Sequence, residues 1–172
     1  RALYAVTPRY AGSSTPEQLE LAGALWREHP GTYLQTHIAE NREEVAMVDA
    51  LFPGRRGYLD IYDHHGVVGP RSIFGHGTWL TDAERRRLRE AGAALAHCPT
   101  SNLFLGSGLL DLSRNTAAAV RAHVGVATDL GAGTSFSMLQ TLAEAYKVAR
   151  MRGGTLRATE ALSLATRGAA AA

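Results

Sequence analysis

The 172 residues are 45% hydrophobic and 20% charged, a composition that supports one buried core and excludes a disordered or fibrous chain. Eighteen basic residues against sixteen acidic ones leave a net charge of only +2, so a nucleic-acid partner is not expected. No apolar run is long enough to span a bilayer, and one cysteine, Cys98, cannot form an internal disulfide. No membrane association and a reducing, cytoplasmic compartment are therefore expected.

The chain opens on Arg1 and a strand-like run at 3–7, and it closes in a small-residue tract through Ala172. One domain over 1–172, cut at both ends from something longer, is the expectation. Thr15-Pro16-Glu17-Gln18 supplies an N-cap, a proline at the first helical position and Gln three residues after the cap. Leu19, Ala22 and Leu25 follow at helical spacing, and the helix stops near His29-Pro30-Gly31. A run at 32–37 leads to Asn41-Arg42-Glu43-Glu44, the same capping device, ahead of a helix stopped by Pro53-Gly54.

Farther on, a run at 72–76 precedes a helix capped by Thr81-Asp82-Ala83-Glu84 and ended near Gly92. In that helix Arg85-Arg86-Arg87, flanked by Glu84 and Glu90, reads as a solvated face. Runs at 93–97 and 124–129 complete five strands, with helices expected over 115–123, 135–151 and 155–165. Cys98, at the end of a strand-like run, reads as a small buried hydrophobe rather than a nucleophile.

Short apolar strands alternating with helices predict right-handed βαβ units and a parallel sheet buried on both faces. A doubly wound sheet and a (β/α)8 barrel both place chemistry at the carboxyl ends of the strands. Three runs end in reactive side chains, His37, His76 and Asp129, and such dispersal over separate strand ends favours the barrel. A complete barrel has eight strands in about 250 residues, so a partial (β/α)8 TIM-like barrel, its later strands and helices, is the predicted fold.

His37 and Glu40 are three apart, and on a continuing strand they would face opposite sides. With Asn41 as the next N-cap, however, residues 38–40 form the turn, which can carry Glu40 round to the side of His37. A neutral imidazole can bind zinc or a similar cation, and a nearby carboxylate can move a proton. Each residue also has an ordinary reading: His37 bonded to backbone, Glu40 at a helix N-terminus, Asp129 as a turn former and His76 filling a bend between two glycines. Gly131-x-Gly133 before a helix lacks the third glycine of a dinucleotide fingerprint, position 136 being Phe. His64, His65, His29 and His123 are not read as ligands, the last two being expected at helix ends, and no Gly-x-Ser-x-Gly elbow is present.

Taken together, Val6-Thr7-Pro8-Arg9-Tyr10, Gln35-Thr36-His37-Ile38-Ala39-Glu40-Asn41, Gly75-His76-Gly77, Ala96-His97-Cys98-Pro99-Thr100-Ser101-Asn102 and Ala127-Thr128-Asp129-Leu130-Gly131-Ala132-Gly133-Thr134-Ser135 resemble the amidohydrolase superfamily. Within it, they are most similar to the branch that deaminates guanine, along nearly the whole chain. The resemblance implies that His37 and Asp129 are metal ligands, that Glu40 is the proton shuttle and that His76 stabilises developing charge. It further implies that Arg9 holds a purine carbonyl and the Tyr10 ring lies against the base, with His37, Glu40 and Asp129 also facing the substrate.

The implied activity is hydrolytic deamination of guanine to xanthine and ammonia in purine catabolism, with one Zn2+ per intact subunit, iron being an accepted substitute, and a homodimeric assembly. The family's His-x-His pair occurs nowhere in these 172 residues. A catalytic zinc takes three protein ligands, so the chain by itself is expected to bind metal poorly and to be inactive. The alternatives are an aminohydrolase or chlorohydrolase acting on adenosine-like, pterin or triazine rings, and a non-catalytic barrel fragment.

Overall fold

The computed structural model describes residues 2–113 and 123–171. Its sheet has five strands, β1 (Ala5–Val6), β2 (Tyr33–Ile38), β3 (Ser72–His76), β4 (Ala94–His97) and β5 (His123–Val126). All are parallel, and the spatial order is the chain order. A doubly wound sheet reverses its strand order at a switch point; here no reversal occurs, and the arc is that of a (β/α)8 barrel.

The helices are α1 (Pro16–Glu28), α2 (Arg42–Leu51), α3 (Tyr58–His64), α4 (Asp82–Ala91), α5 (Pro99–Leu105), α6 (Met138–Met151) and α7 (Ala158–Ser163), the last running into a π-helical turn at Leu164–Gly168. Thr15, Asn41 and Thr81 cap α1, α2 and α4, the latter two in full capping boxes closed by Glu44 and Glu84. No helix among the described residues is long and apolar enough to cross a membrane.

Several expectations need correction. The first strand is two residues, not 3–7. β5 begins at His123, so this histidine opens a strand instead of ending a helix, and the strand stops at Val126 before the turn that carries Asp129. The helix expected over 115–123 lies otherwise outside the described residues. α6 starts at Met138 because Ser137 caps it through the Gln140 N–H. Helices α3 and α5, seven residues each, go unannounced by any periodic pattern.

Arg85 is not solvated: it is 1% exposed, and its guanidinium donates to the carbonyls of Leu80 and Gly77. Its neighbours do meet solvent or a partner, Arg86 exposed and Arg87 paired with Asp63.

Alternation along the strands sorts the two faces. Leu34, Thr36 and Ile38 on β2 and Ser72 and Phe74 on β3 are buried towards the helices, where Phe74 lies 5.6 Å from the Tyr62 ring of α3. Gln35, His37 and Gly75 take the opposite face. The core is this helix-facing layer, with Leu19, Leu59, Ile61, Leu88 and Leu95 fully enclosed. Cys98 is buried, and burial, aided by the nearby Asp129, pushes its thiol up to about 12, which suits a hydrophobe and not a nucleophile.

Candidate active site

At the carboxyl ends of the strands the backbone leaves its regular path at three non-glycine residues. Ala39, His76 and Asp129 have φ of 47°, 68° and 47°, a region that costs L-residues roughly 1–3 kcal/mol and recurs at functional sites. At Ala39 the reversal ends β2 and turns Glu40 back over the sheet. Glu40 is held there because its N–H donates to Glu44 Oε2 at 2.8 Å, the residue that closes the α2 capping box.

Strict alternation would send His76, two residues after Phe74, into the helix-facing core. The left-handed turn at His76 and Gly77 rotates the ring instead, to stack on His37 with centroids 5.3 Å apart. Glycine suits position 77: its φ is 62°, and an added Cβ would lie 2.7 Å from the end of the Leu95 side chain. Gly133 has a comparable reason, since a Cβ there would meet the Thr128 carbonyl oxygen at 1.9 Å. The Gly131-x-Gly133 segment thus folds tightly over Asp129, with Gly133 N–H donating to the Asp129 carbonyl at 2.6 Å.

Both imidazoles are fixed at Nδ1. That of His37 lies 2.7 Å from the Arg9 carbonyl oxygen, which only accepts, so Nδ1 carries the proton and Nε2 a lone pair. The Arg9 carbonyl also receives the His37 backbone N–H and the Thr36 hydroxyl, drawing Arg9 beside His37 beyond the end of β1. For His76, Asn102 Oδ1 lies 2.8 Å from Nδ1 while Asn102 Nδ2 donates to Thr78. Nδ1 is again the donor, and His76 Nε2 faces Glu40 Oε2 at 3.8 Å and Asp129 Oδ2 at 3.9 Å.

His37, His76 and Asp129 each offer a ligand atom within 4.8 Å of the others. Among the described residues neither Glu40 nor Asp129 pairs with a lysine or arginine. One carboxylate and two imidazole nitrogens so close together form a donor set that fits a divalent cation, with Glu40 Oε2 beside His76.

The groups line a cleft of about 690 Å³ that also contains Arg9, Tyr10, Met47 and Leu105. Arg9 sits over the Tyr10 ring, 5.6 Å from its centroid. Every residue singled out in the sequence, Arg9, Tyr10, His37, Glu40, His76 and Asp129, therefore comes to one cleft.

The residues that hold these groups were not evident in the sequence. Tyr62 of α3 donates to the His37 carbonyl and accepts from the Ala11 N–H, tying the end of β2 to the Arg9–Ala11 segment; burial pushes its hydroxyl up to about 12. Asn102 and Ser107 belong to α5 and the loop after it. For Asn102 the early signals were its place in the Ala96–Asn102 stretch of the resemblance and Pro99, a proline at the first helical position; nothing marked Ser107.

A model of the amidohydrolase family matches residues 1–172. The guanine deaminase of Escherichia coli K12 is 49% identical over 170 residues, covering 99% of this chain and 38% of that protein. The solved structure of E. coli guanine deaminase superposes with a TM-score of 0.93, over 98% of this chain and 39% of its own. A guanine deaminase from C. acetobutylicum, solved with guanine bound in its active site, superposes at 0.89 with 26% identity, over 95% of this chain and 41% of its own. The chain thus spans about two-fifths of the length of these relatives. On a family match that runs its whole length, the chain belongs to the amidohydrolase family.

Proposed function

We propose that the whole protein containing this chain hydrolyses guanine to xanthine and ammonia with the help of one divalent ion. The observation that carries this is the approach of Glu40 and Asp129 to the same ring nitrogen of His76, in a cleft with Arg9 and Tyr10 at its side. Similarity to guanine deaminases, one of them solved with guanine bound, supports the choice of substrate.

His37, through Nε2, and Asp129 are assigned as ligands from this chain, zinc being the first choice and iron accepted by the same donors. When bound, such an ion supplies Lewis-acid activation of water near neutral pH. Glu40 and Asp129 take up the proton of the attacking water, and Glu40 delivers a proton to the purine ring nitrogen next to the carbon under attack. His76, its Nδ1–H held by Asn102, carries a second proton at Nε2 in this step and so stabilises the charge that develops as the carbon becomes tetrahedral. Arg9 donates to the purine carbonyl, and the Tyr10 ring lies against the base. The new hydroxyl gives its proton through Asp129 to the exocyclic amine, the C–N bond breaks as the carbonyl forms, and ammonia leaves.

This reading assigns the protein to purine catabolism in the cytoplasm, as a homodimer, on family resemblance. Assay of the full-length protein on guanine with zinc is the test. Glu40→Gln is expected to lower kcat by about 10³-fold, within the 10²–10⁴ that a positioned acid–base group supplies. Unimpaired turnover in that variant removes the shuttle role. Metal analysis of the same protein is expected to find about one zinc per subunit, and a panel of adenosine-like, pterin and triazine rings checks that guanine is preferred.

A further inference from the structure

Three separate strand-end loops meet at Glu40 through a closed ring of hydrogen bonds. The Ala39 carbonyl, at the left-handed residue just before Glu40, accepts from the backbone N–H of Trp79 at 3.0 Å. The indole Nε1–H of the same Trp79 donates to the Ser107 carbonyl at 2.8 Å. The Ser107 hydroxyl then donates to Glu40 Oε1 at 2.8 Å, closing the ring on the residue after Ala39.

Each link is itself braced. Arg42, in the first turn of α2, stacks over the Trp79 ring at 4.1 Å. Gly108, with φ of 131°, lets the backbone run flat against the indole, where a Cβ would come 2.8 Å from the ring. The Ser107 N–H donates to the Asn102 carbonyl at 2.9 Å, so Ser107 is mounted on the same residue that orients His76. Ser107 is 5% exposed, which keeps competing water from its hydroxyl.

The ring distinguishes the two oxygens of the carboxylate. Oε1 is occupied by Ser107, and Oε2 is the one turned towards His76 Nε2. A carboxylate held at one oxygen cannot rotate to exchange them without losing a charge-assisted hydrogen bond.

We infer that Ser107 and Trp79 are positioning residues which together select Oε2 of Glu40 as its proton-transferring oxygen. The inference rests on the deaminase reading for its consequence in turnover, and on the hydrogen-bond ring for its geometry. Ser107 acts directly on Glu40; Trp79 acts through Ser107, by fixing the height and direction of its loop. A misplacement of about 1 Å in such a group can cost about 10²-fold in rate.

The experiment uses the full-length, metal-loaded protein and a double-mutant cycle with Ser107→Ala, Trp79→Phe and the pair, reading kcat, KM, zinc content and a crystal structure of Ser107→Ala. Expected are a kcat lower by about 10- to 100-fold for Ser107→Ala, a smaller loss for Trp79→Phe, and a pair scarcely worse than Ser107→Ala alone. KM and zinc content should stay close to the parent values, a split that general loosening of the fold would not give. Parent-like kcat in Ser107→Ala, or losses that simply multiply in the pair, overturns the inference while leaving the role of Glu40 standing. If the parent protein binds zinc but does not turn over guanine, the deaminase reading fails instead. The Ser107→Ala crystal structure then decides the geometry: a displaced Glu40 carboxylate supports the ring's role, and an unmoved one overturns it.

Discussion

His76 and His97 stand side by side at the carboxyl ends of adjacent strands, since Gly75 on β3 pairs with Ala96 on β4. They have opposite fates. At His76 the backbone turns left-handed, and the ring, though only 1% exposed, turns towards the cleft to meet Asn102, Glu40 and Asp129. At His97 the strand keeps its alternation, so the ring stays on the helix-facing side, fully buried, with neither nitrogen hydrogen-bonded among the described residues. Burial first, and the neighbouring His76 second, push its pKa down to about 3. One backbone torsion, more than residue type or register, separates a histidine suited to chemistry from one that behaves as a neutral core side chain.

Removing each ring in turn from the full-length protein should separate the two histidines most strongly. His76→Asn is expected to lower kcat by about 10³-fold, because it removes the nitrogen shared by the two carboxylates. His97→Leu, which replaces an imidazole without a partner among the described residues by an apolar group, is expected to keep turnover within the parent's order of magnitude. Steady-state kinetics on guanine, with thermal melts to verify that both variants are folded, checks this. Equal losses in the two would mean that the strand-end turn does not divide their roles.

How far the pair could be told apart in the sequence follows from what is local. Capping chemistry is local: Thr15, Asn41 and Thr81 announced their helices, and Asn41 foretold the turn that brings Glu40 round. The strand ends at His37 and His76 and the turn at Asp129 were legible for the same reason, each closing a short apolar run. His97 also ends such a run, yet sequence has no sign for which histidine will turn left-handed except the glycines on both sides of His76. The supporting contacts were illegible because they span the chain; Ser107 reaches Glu40 across 67 positions. Arg85 is a different failure. It lies three residues before Leu88 and so on the buried face, but its place in a run of three arginines hid that periodicity.

Acid sharpens the contrast in a second, smaller way. An ordinary histidine titrates near 6.5, whereas buried His97 stays neutral down to about 3. Between those values the unfolded chain binds a proton that the native state does not, so stability is complete above about 6.5 and declines as pH falls towards 3. The slope from this one group is about 1.4 kcal/mol per pH unit. Denaturant unfolding of the parent and His97→Leu across this range should give curves that diverge with acid, the variant being the flatter. Parallel curves would mean that His97 is protonated in the native state and has a partner.

The smallest effect concerns the torsion itself. Gly77 continues the left-handed turn that begins at His76, with φ of 62°, and its missing Cβ leaves room for Leu95. In Gly77→Ala the methyl group meets the far ends of the Leu95 and Leu80 side chains, at 2.7 and 3.1 Å, and both ends can shift, so the clash adds little to the cost of a positive φ. A destabilisation of about 1–2 kcal/mol is expected, read from the denaturation midpoint at unchanged m-value. The loss of turnover should exceed what that instability explains, because the ring of His76 hangs from the same turn and Glu40 and Asp129 are aimed at where it now sits. If turnover is unchanged while stability falls, the position of His76 is set by its bond to Asn102 and not by the backbone.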